Sequence, residues 1–371
     1  MKILMLANND VGLYKFRKEL IQELLCPGLY IKGRNTEPCK VFVSIPEGEF
    51  TEEIEGLGCE VINTFVDRRG MNPFKDLKLL NKYRLIMKKV KPDIVLTYTI
   101  KPNIYGGIIC GLAKTPYIPN ITGLGTSIKN NSFMSKLILL MYKAGIKSAK
   151  TIFFQNASNQ DFFVTKKIIR DAGIHIRGSG VNLKEHCFEN YPQNDGKLKF
   201  LFIGRIMRDK GIHEFLDCAE YIKGKYTDIE FNVLGAYDEE EFKFRIEQLS
   251  EEGVIHYYGQ QKDVHSFIKI HHATILPSYH EGLSNVLLET AASGRPVIAS
   301  NISGCIETYD DGVSGIGFEP RNSKALIKAL EKFISLPYAE KMKMGIAARR
   351  KVEKEFNREI IIESYLKEIY K

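Results

Sequence analysis

The chain reads as an α/β protein made of two doubly wound parallel-sheet domains, and three observations predict it. Its 371 residues exceed the usual size of one domain and supply two hydrophobic cores of about 180 residues each. Short apolar runs alternate with helical patterns, and the alternation starts again after residue 197. Between the two series, residues 177–197 are rich in Gly, Asn, Pro and other polar residues, which marks a linker. The predicted division is 1–180, 181–354 and a C-terminal helix, 355–371, that packs back on the first domain.

In the first series, buried strands are expected at 2–7, 41–44, 59–64, 93–97, 117–120 and 151–154, because each is a short apolar run bounded by turn residues. Helical periodicity falls between them at 12–25, 73–90, 102–112, 132–147 and 157–165. The second series has strands at 199–204, 229–234, 253–258, 273–276 and 296–299, with helices at 211–221, 239–249, 264–271, 285–293 and 323–335. Residues 26–39, with Pro27, Gly28, Gly33 and Pro38, read as an inserted loop. In doubly wound sheets ligands bind beyond the carboxyl ends of the strands, so functional residues are expected in the loops that follow them, facing a cleft between the domains.

Composition narrows the function classes. A hydrophobic fraction of 44% with 26% charged residues is that of a globular protein without low-complexity segments. The sequence opens directly on a strand pattern rather than a leader, and no run approaches 18 apolar residues, so no membrane span is expected. Seven cysteines without a C-x-x-C point to free thiols in a reducing cytoplasm, and no metal site is expected from the His, Cys and carboxylate spacings. The net charge of +8 is uneven: residues 1–180 hold 27 Lys and Arg against 15 Asp and Glu, and the remainder 26 against 30. The cations cluster at Lys15–Lys18, Arg68-Arg69, 75–91 and 129–150, among apolar residues such as Met71, Phe74, Phe133 and Met134. Basic plus apolar suggests an anionic membrane surface, each cation contributing roughly 1 kcal/mol. No nucleic-acid-binding motif accompanies the charge, so no nucleic-acid partner is expected.

Two loops of the second half carry chemistry. Glu281 and Glu289 flank a helix start, with Ser284 or Asn285 as N-cap, so both acids lie near free backbone amides and a partial positive charge. That suits a phosphate with a sugar or ribose beside it. Gly204 and Gly211 bracket Arg205 and Lys210 after the first strand of the second series, two cations at a spacing that fits a diphosphate clamp. In the first half, Gly12 after the first strand can admit a phosphate to the backbone, but no G-x-G-x-x-G accompanies it, so a dinucleotide cofactor is not expected.

Gly204-Arg205-x4-Lys210-Gly211, followed by Pro277-Ser278-x2-Glu281-Gly282-x6-Glu289-x4-Gly294-x-Pro296, resembles the retaining glycosyltransferases of family 4, which have the GT-B fold of two facing Rossmann-like domains. Gly180-Val181-Asn182 resembles the family's interdomain turn, and Val233-Leu234-Gly235 its strand-end glycine. Residues 97–106 and Asn120-Ile121-Thr122-Gly123-Leu124-Gly125 are similar to the branch that extends sugars on undecaprenyl diphosphate in capsule, O-antigen and N-glycan assembly.

The resemblance implies a UDP-sugar donor, a hexose or N-acetylhexosamine, with UDP-GalNAc or UDP-GlcNAc first. It implies a lipid-linked saccharide acceptor, a location on the cytoplasmic face of the inner membrane, and no metal or other cofactor. Arg205 and Lys210 would hold the diphosphate, Glu281 would face the sugar and Glu289 the ribose. The amides of Leu283, Ser284 and Asn285 beside Gly282 would meet sugar and phosphates, and Tyr258-Gly259-Gln260 the base. Gly12 would approach the diphosphate, while Tyr14, Lys101, Asn103 and Gly123 would lie on the acceptor side. Where many relatives carry a His, this chain has Thr99-Ile100-Lys101. A sugar-nucleotide 2-epimerase and a non-catalytic sugar-nucleotide-binding protein share the two-domain pattern and stay open at this point.

Overall fold

The computed structural model describes residues 1–33, 36–67, 72–123, 133–169 and 172–371, with the backbone alone at 133 and 134. Arg68, Arg69, Met71, Leu124, Gly125, Lys129 and the side chains of Phe133 and Met134 lie outside the described residues. The chain forms two compact units, one of Met1–Ser179 with Glu359–Lys371, the other of Gly180–Arg358.

The first unit holds β1 (Lys2–Leu6), β2 (Lys40–Ile45), β3 (Glu60–Asn63), β4 (Ile94–Tyr98), β5 (Tyr117–Ile121), β6 (Phe153–Phe154) and β7 (Ile174–His175). They run parallel in the order β3-β2-β1-β4-β5-β6-β7. The strands are apolar on both faces because helices cover both, as parallel sheets require. Ile3, Met5, Val41, Val43 and Leu96 pack to one side, while Leu4, Leu6, Phe42 and Val95 pack to the other. The first side is completed from far along the chain: Ile361, Ile362, Tyr365, Leu366 and Ile369 of the helix Arg358–Ile369 are buried in it. The Tyr365 ring meets Phe153 edge-on at 4.8 Å. The inserted loop is pinned to the first helix by Glu23, whose carboxylate accepts from Gly28 N at 2.9 Å and Tyr30 N at 2.7 Å.

The second unit holds β8 (Leu198–Ile203), β9 (Ile229–Leu234), β10 (His256–Tyr257), β11 (Ala273–Leu276), β12 (Val297–Ser300) and β13 (Gly315–Phe318), parallel in the order β10-β9-β8-β11-β12-β13. Its main core gathers Phe200, Phe202, Phe215, Phe231 and Phe333. Three expectations change here. The strand expected at 253–258 shortens to His256–Tyr257, and the helix expected at 264–271 to His265–Ile268. That helix stops because His272 N leaves it to donate to Lys199 O at 2.8 Å, entering the sheet. An unforeseen sixth strand, β13, is added beside β12.

In each sheet the strand order reverses beside the first strand of its series, between β1 and β4 and between β8 and β11. Those two switch points fix which loops can form a ligand crevice.

Candidate functional site

At the switch point of the second sheet, the loop after β8 and the loop after β11 are locked together. Tyr279 N donates to Asp209 O at 2.9 Å. Gly211, at φ +70°, lies so close to Pro277 that an added Cβ would sit 2.0 Å from its carbonyl oxygen. Only glycine meets both demands, a left-handed backbone and backbone contact. Gly235 plays a similar part, since a Cβ there would fall 1.7 Å from Gly204 O. Its amide donates to Gly259 O at 2.9 Å, which aligns the ends of β8, β9 and β10 along one edge.

On this edge Lys210 Nζ donates to Glu281 Oε1 at 2.6 Å, and Ser278 Oγ donates to the same oxygen at 2.8 Å. The pair is largely shielded, with 22% of the lysine and 12% of the glutamate side chain exposed. Lys210 was expected to hold the diphosphate and Glu281 to face the sugar. The two form one ion pair, because the fused loops bring the strand ends of β8 and β11 within side-chain reach. Arg205, 55% exposed, pairs with Asp238 at 2.9 Å. A bound diphosphate would therefore compete with Asp238 for the guanidinium.

Ser284 is the N-cap of the helix Asn285–Ala292, its Oγ accepting from Leu287 N at 3.4 Å. Glu281 lies in the preceding loop, and Glu289 lies within the helix. The Ser284 amide, expected to be open to a ligand, donates to Gly304 O at 2.8 Å. Among the described residues the amides of Leu283, Asn285 and Val286 keep no intramolecular acceptor. They form the anion-ready end of the helix. The Leu283 side chain is buried among Val181, Leu288 and Phe356 and anchors that end. Tyr258 is 44% exposed and meets Phe267 edge-on at 5.2 Å, with Gly259 at φ +66° beside it and Gln260 following.

The switch point of the first sheet differs more from expectation. Gly12 N is already donated to Asn9 Oδ1 at 2.6 Å, because Asn9 caps the helix Asp10–Leu25, so that amide is not available to a phosphate. Asn103 is fully buried: it accepts from Thr97 Oγ1 at 2.7 Å and donates to Asn120 O at 2.9 Å, tying β4 to β5 rather than facing an acceptor. Lys101 Nζ is held by Asp76 Oδ1 at 2.6 Å. Tyr14 stacks on Phe50 with centroids 5.0 Å apart, and Gly123 is half-buried. Thr99 takes φ +71°, a strained conformation for a β-branched residue, and its buried Oγ1 has no hydrogen-bond partner among the described residues. That strain sits at the end of β4, beside the switch point, and the sequence gives no signal of it.

Two family models match the chain: "Glycosyl transferase 4-like" over residues 2–156 and "Glycosyl transferases group 1" over 184–351. A relative from Campylobacter jejuni, N,N'-diacetylbacillosaminyl-diphospho-undecaprenol alpha-1,3-N-acetylgalactosaminyltransferase, is 28% identical over 99% of this chain and 98% of its own length. The capsular polysaccharide biosynthesis glycosyltransferase CapM of Staphylococcus aureus is 26% identical over 84% of this chain and 85% of its own. Among solved structures, Anabaena HepE, crystallised with UDP and glucose, superposes with a TM-score of 0.77 at 16% identity over 100% of this chain and 99% of its own. The fold is GT-B.

Proposed function

We propose that the chain, which belongs to the glycosyltransferases described by these two family models, moves a hexose or N-acetylhexosamine from a UDP-sugar onto an undecaprenyl-diphosphate-linked saccharide. UDP-GalNAc and UDP-GlcNAc are the first donors to test. The observation that carries the reading is the convergence of Arg205, Lys210, Glu281 and an open helix N-terminus on one sheet edge, in a chain whose Campylobacter relative aligns end to end. That relative is named for transfer to a diphospho-undecaprenol-linked sugar with an alpha linkage. UDP-sugars are themselves α-configured, so an α product means retention.

The chemistry follows from charge. As the glycosidic bond breaks, negative charge grows on the leaving diphosphate. Arg205, Lys210 and the amides at Leu283, Asn285 and Val286 would stabilise it without a metal ion, in the manner of preorganised oxyanion donors. We favour attack on the face from which the leaving group departs, with the leaving phosphate taking the acceptor proton. Glu281, held by Lys210, would orient the sugar, and Glu289 would accept hydrogen bonds from the ribose.

The acceptor's lipid asks for a membrane surface, and the first unit has a fitting one. No helix of the described residues is long and apolar enough to cross a membrane. The helix Pro73–Val90 instead turns Phe74, Leu77 and Leu85 outward beside exposed Lys75, Lys78, Lys82, Arg84, Lys88 and Lys89. The helix Phe133–Ile146 does the same with Leu137, Leu140, Lys136 and Lys143. Burying leucines while setting lysines among anionic headgroups would hold the chain at the cytoplasmic leaflet.

The test is transfer by the purified chain from a panel of UDP-sugars to a short undecaprenyl-diphosphate saccharide, read by mass and by anomeric configuration. One added sugar with α linkage is expected. Epimerisation of free UDP-GlcNAc without acceptor, or UDP binding with no reaction across the panel, would overturn the reading. Co-sedimentation with anionic vesicles should weaken at least 10-fold in Leu77→Glu/Leu85→Glu, and unchanged binding would remove the membrane face from the proposal.

A further inference from the structure

At the far end of the helix Asn285–Ala292 from Ser284, about 12 Å away at 1.5 Å per residue, three potential metal donors converge. Cys187 Sγ lies 3.6 Å from His265 Nε2 and 3.5 Å from Glu189 Oε1, and Nε2 and Oε1 are 3.1 Å apart. A tetrahedral zinc ion with ordinary bond lengths would set these edges at about 3.6, 3.5 and 3.4 Å. The triangle is already the size of a zinc face.

The proton arrangement around His265 agrees. Ser293 Oγ donates its only proton to Glu289 O at 2.9 Å, so at 3.1 Å it can only accept from His265 Nδ1–H. His265 Nε2 then faces the Glu189 carboxylate at 3.1 Å. The Cys187 thiol donates to Glu189 Oε1 and lies against His265 Nε2. The Nδ1–H···Oγ bond is the outer-sphere partner that metal-bound histidines usually have, and it turns Nε2 toward the other two donors.

The segment that supplies Cys187 and Glu189 is held firmly. The buried Arg295 guanidinium donates to Glu189 O and Asn190 O, each at 2.8 Å, and to Lys269 O at 2.5 Å. Gly294, at φ +75°, leaves no room for a Cβ beside the Phe188 ring. Cys187 is exposed, so an ion has a path in.

We propose that Cys187, Glu189 and His265 bind a zinc ion that staples residues 187–189 to the two helices around His265 and Ser293, away from the candidate donor site. Thiolate and imidazole select zinc over magnesium or calcium. Water completes the shell. Binding would release the thiol proton to solvent.

The experiment uses the full chain, stripped by chelator under reducing conditions and titrated with Co²⁺ as a spectroscopic probe. A thiolate-to-cobalt charge-transfer band with intense four-coordinate d–d bands, saturating at one ion per chain and abolished by Zn²⁺, is expected. Cys187→Ser should lose the charge-transfer band, while Cys26→Ser, at the other exposed cysteine, should keep it. His265→Ala should weaken binding at least 10-fold. Zn²⁺ should raise the melting temperature of the parent chain and not that of Cys187→Ser. Absence of the band in the parent chain, or its persistence in Cys187→Ser, would overturn the proposal and leave a hydrogen-bonded triad.

Discussion

Lys210 and Glu281 form one contact, so their loss should not be additive, and a double-mutant cycle on transfer tests this. At 2.6 Å and an effective dielectric of about 20, the gross Coulomb attraction is about 6 kcal/mol. Desolvation and the partial exposure of both groups reduce the net coupling to about 1–3 kcal/mol. Lys210→Ala removes the cation proposed to hold the diphosphate and should lower turnover by about 10²–10³. Glu281→Gln keeps shape and Ser278's hydrogen bond but releases the lysine, and should lower turnover by about 10–10². The double variant should then be no more than about 10³ down, short of the product of the two losses. Single-turnover rates and UDP affinity, measured separately, provide the cycle. Losses that multiply fully would mean that the two residues act independently and that the ion pair has no part in positioning Lys210. Near-normal transfer by Lys210→Ala and Arg205→Ala alike would remove the diphosphate clamp altogether.

Gly235→Ala would drive a Cβ into Gly204 O, so chemical denaturation should report a loss well above about 1 kcal/mol, with the second unit melting first. Burial pushes both His271 and His272 down to about 4, so both stay neutral in the fold while the unfolded chain takes up protons below about 6.5. Stability should hold above pH 6.5 and fall towards pH 4 by up to about 1.4 kcal/mol per pH unit for each histidine. A flat denaturation midpoint across that window would contradict their burial. Tyr365→Ala removes a ring packed on Phe153 and over Arg17, and should destabilise the first unit by about 3–5 kcal/mol, leaving UDP affinity unchanged. Lost UDP binding in a folded variant would argue against that separation.

The alternation of strands and helices was legible because parallel strands buried on both faces are unbroken apolar runs. β13 was not, since Gly315 and Gly317 dilute Gly-Ile-Gly-Phe below the strand signal. β7 pairs over two residues, too few for any periodicity to register. At the site, the helix start with Ser284 or Asn285 as its N-cap was readable from local chemistry. The Lys210–Glu281 contact was not, because it spans 71 positions and depends on two loops fusing. Asn9 is a good N-cap three residues before Gly12, and that cap spends the Gly12 amide. The triad of Cys187, Glu189 and His265 escaped because its histidine lies 76 residues from its carboxylate, outside any short spacing rule.

The closing helix of the first unit also sets an order of events during synthesis. The second unit, Gly180–Arg358, is contiguous and can finish as soon as its last residue emerges. The first unit begins earlier yet must wait for Ile361, Tyr365 and Leu366 to seal the face around Phe153. At about 5–20 residues per second, that apolar trough stays open for roughly 10–40 s after residue 179 is made. A nascent chain paused in this interval would present a folded second unit and a sticky, unfinished first one, the form most in need of a chaperone.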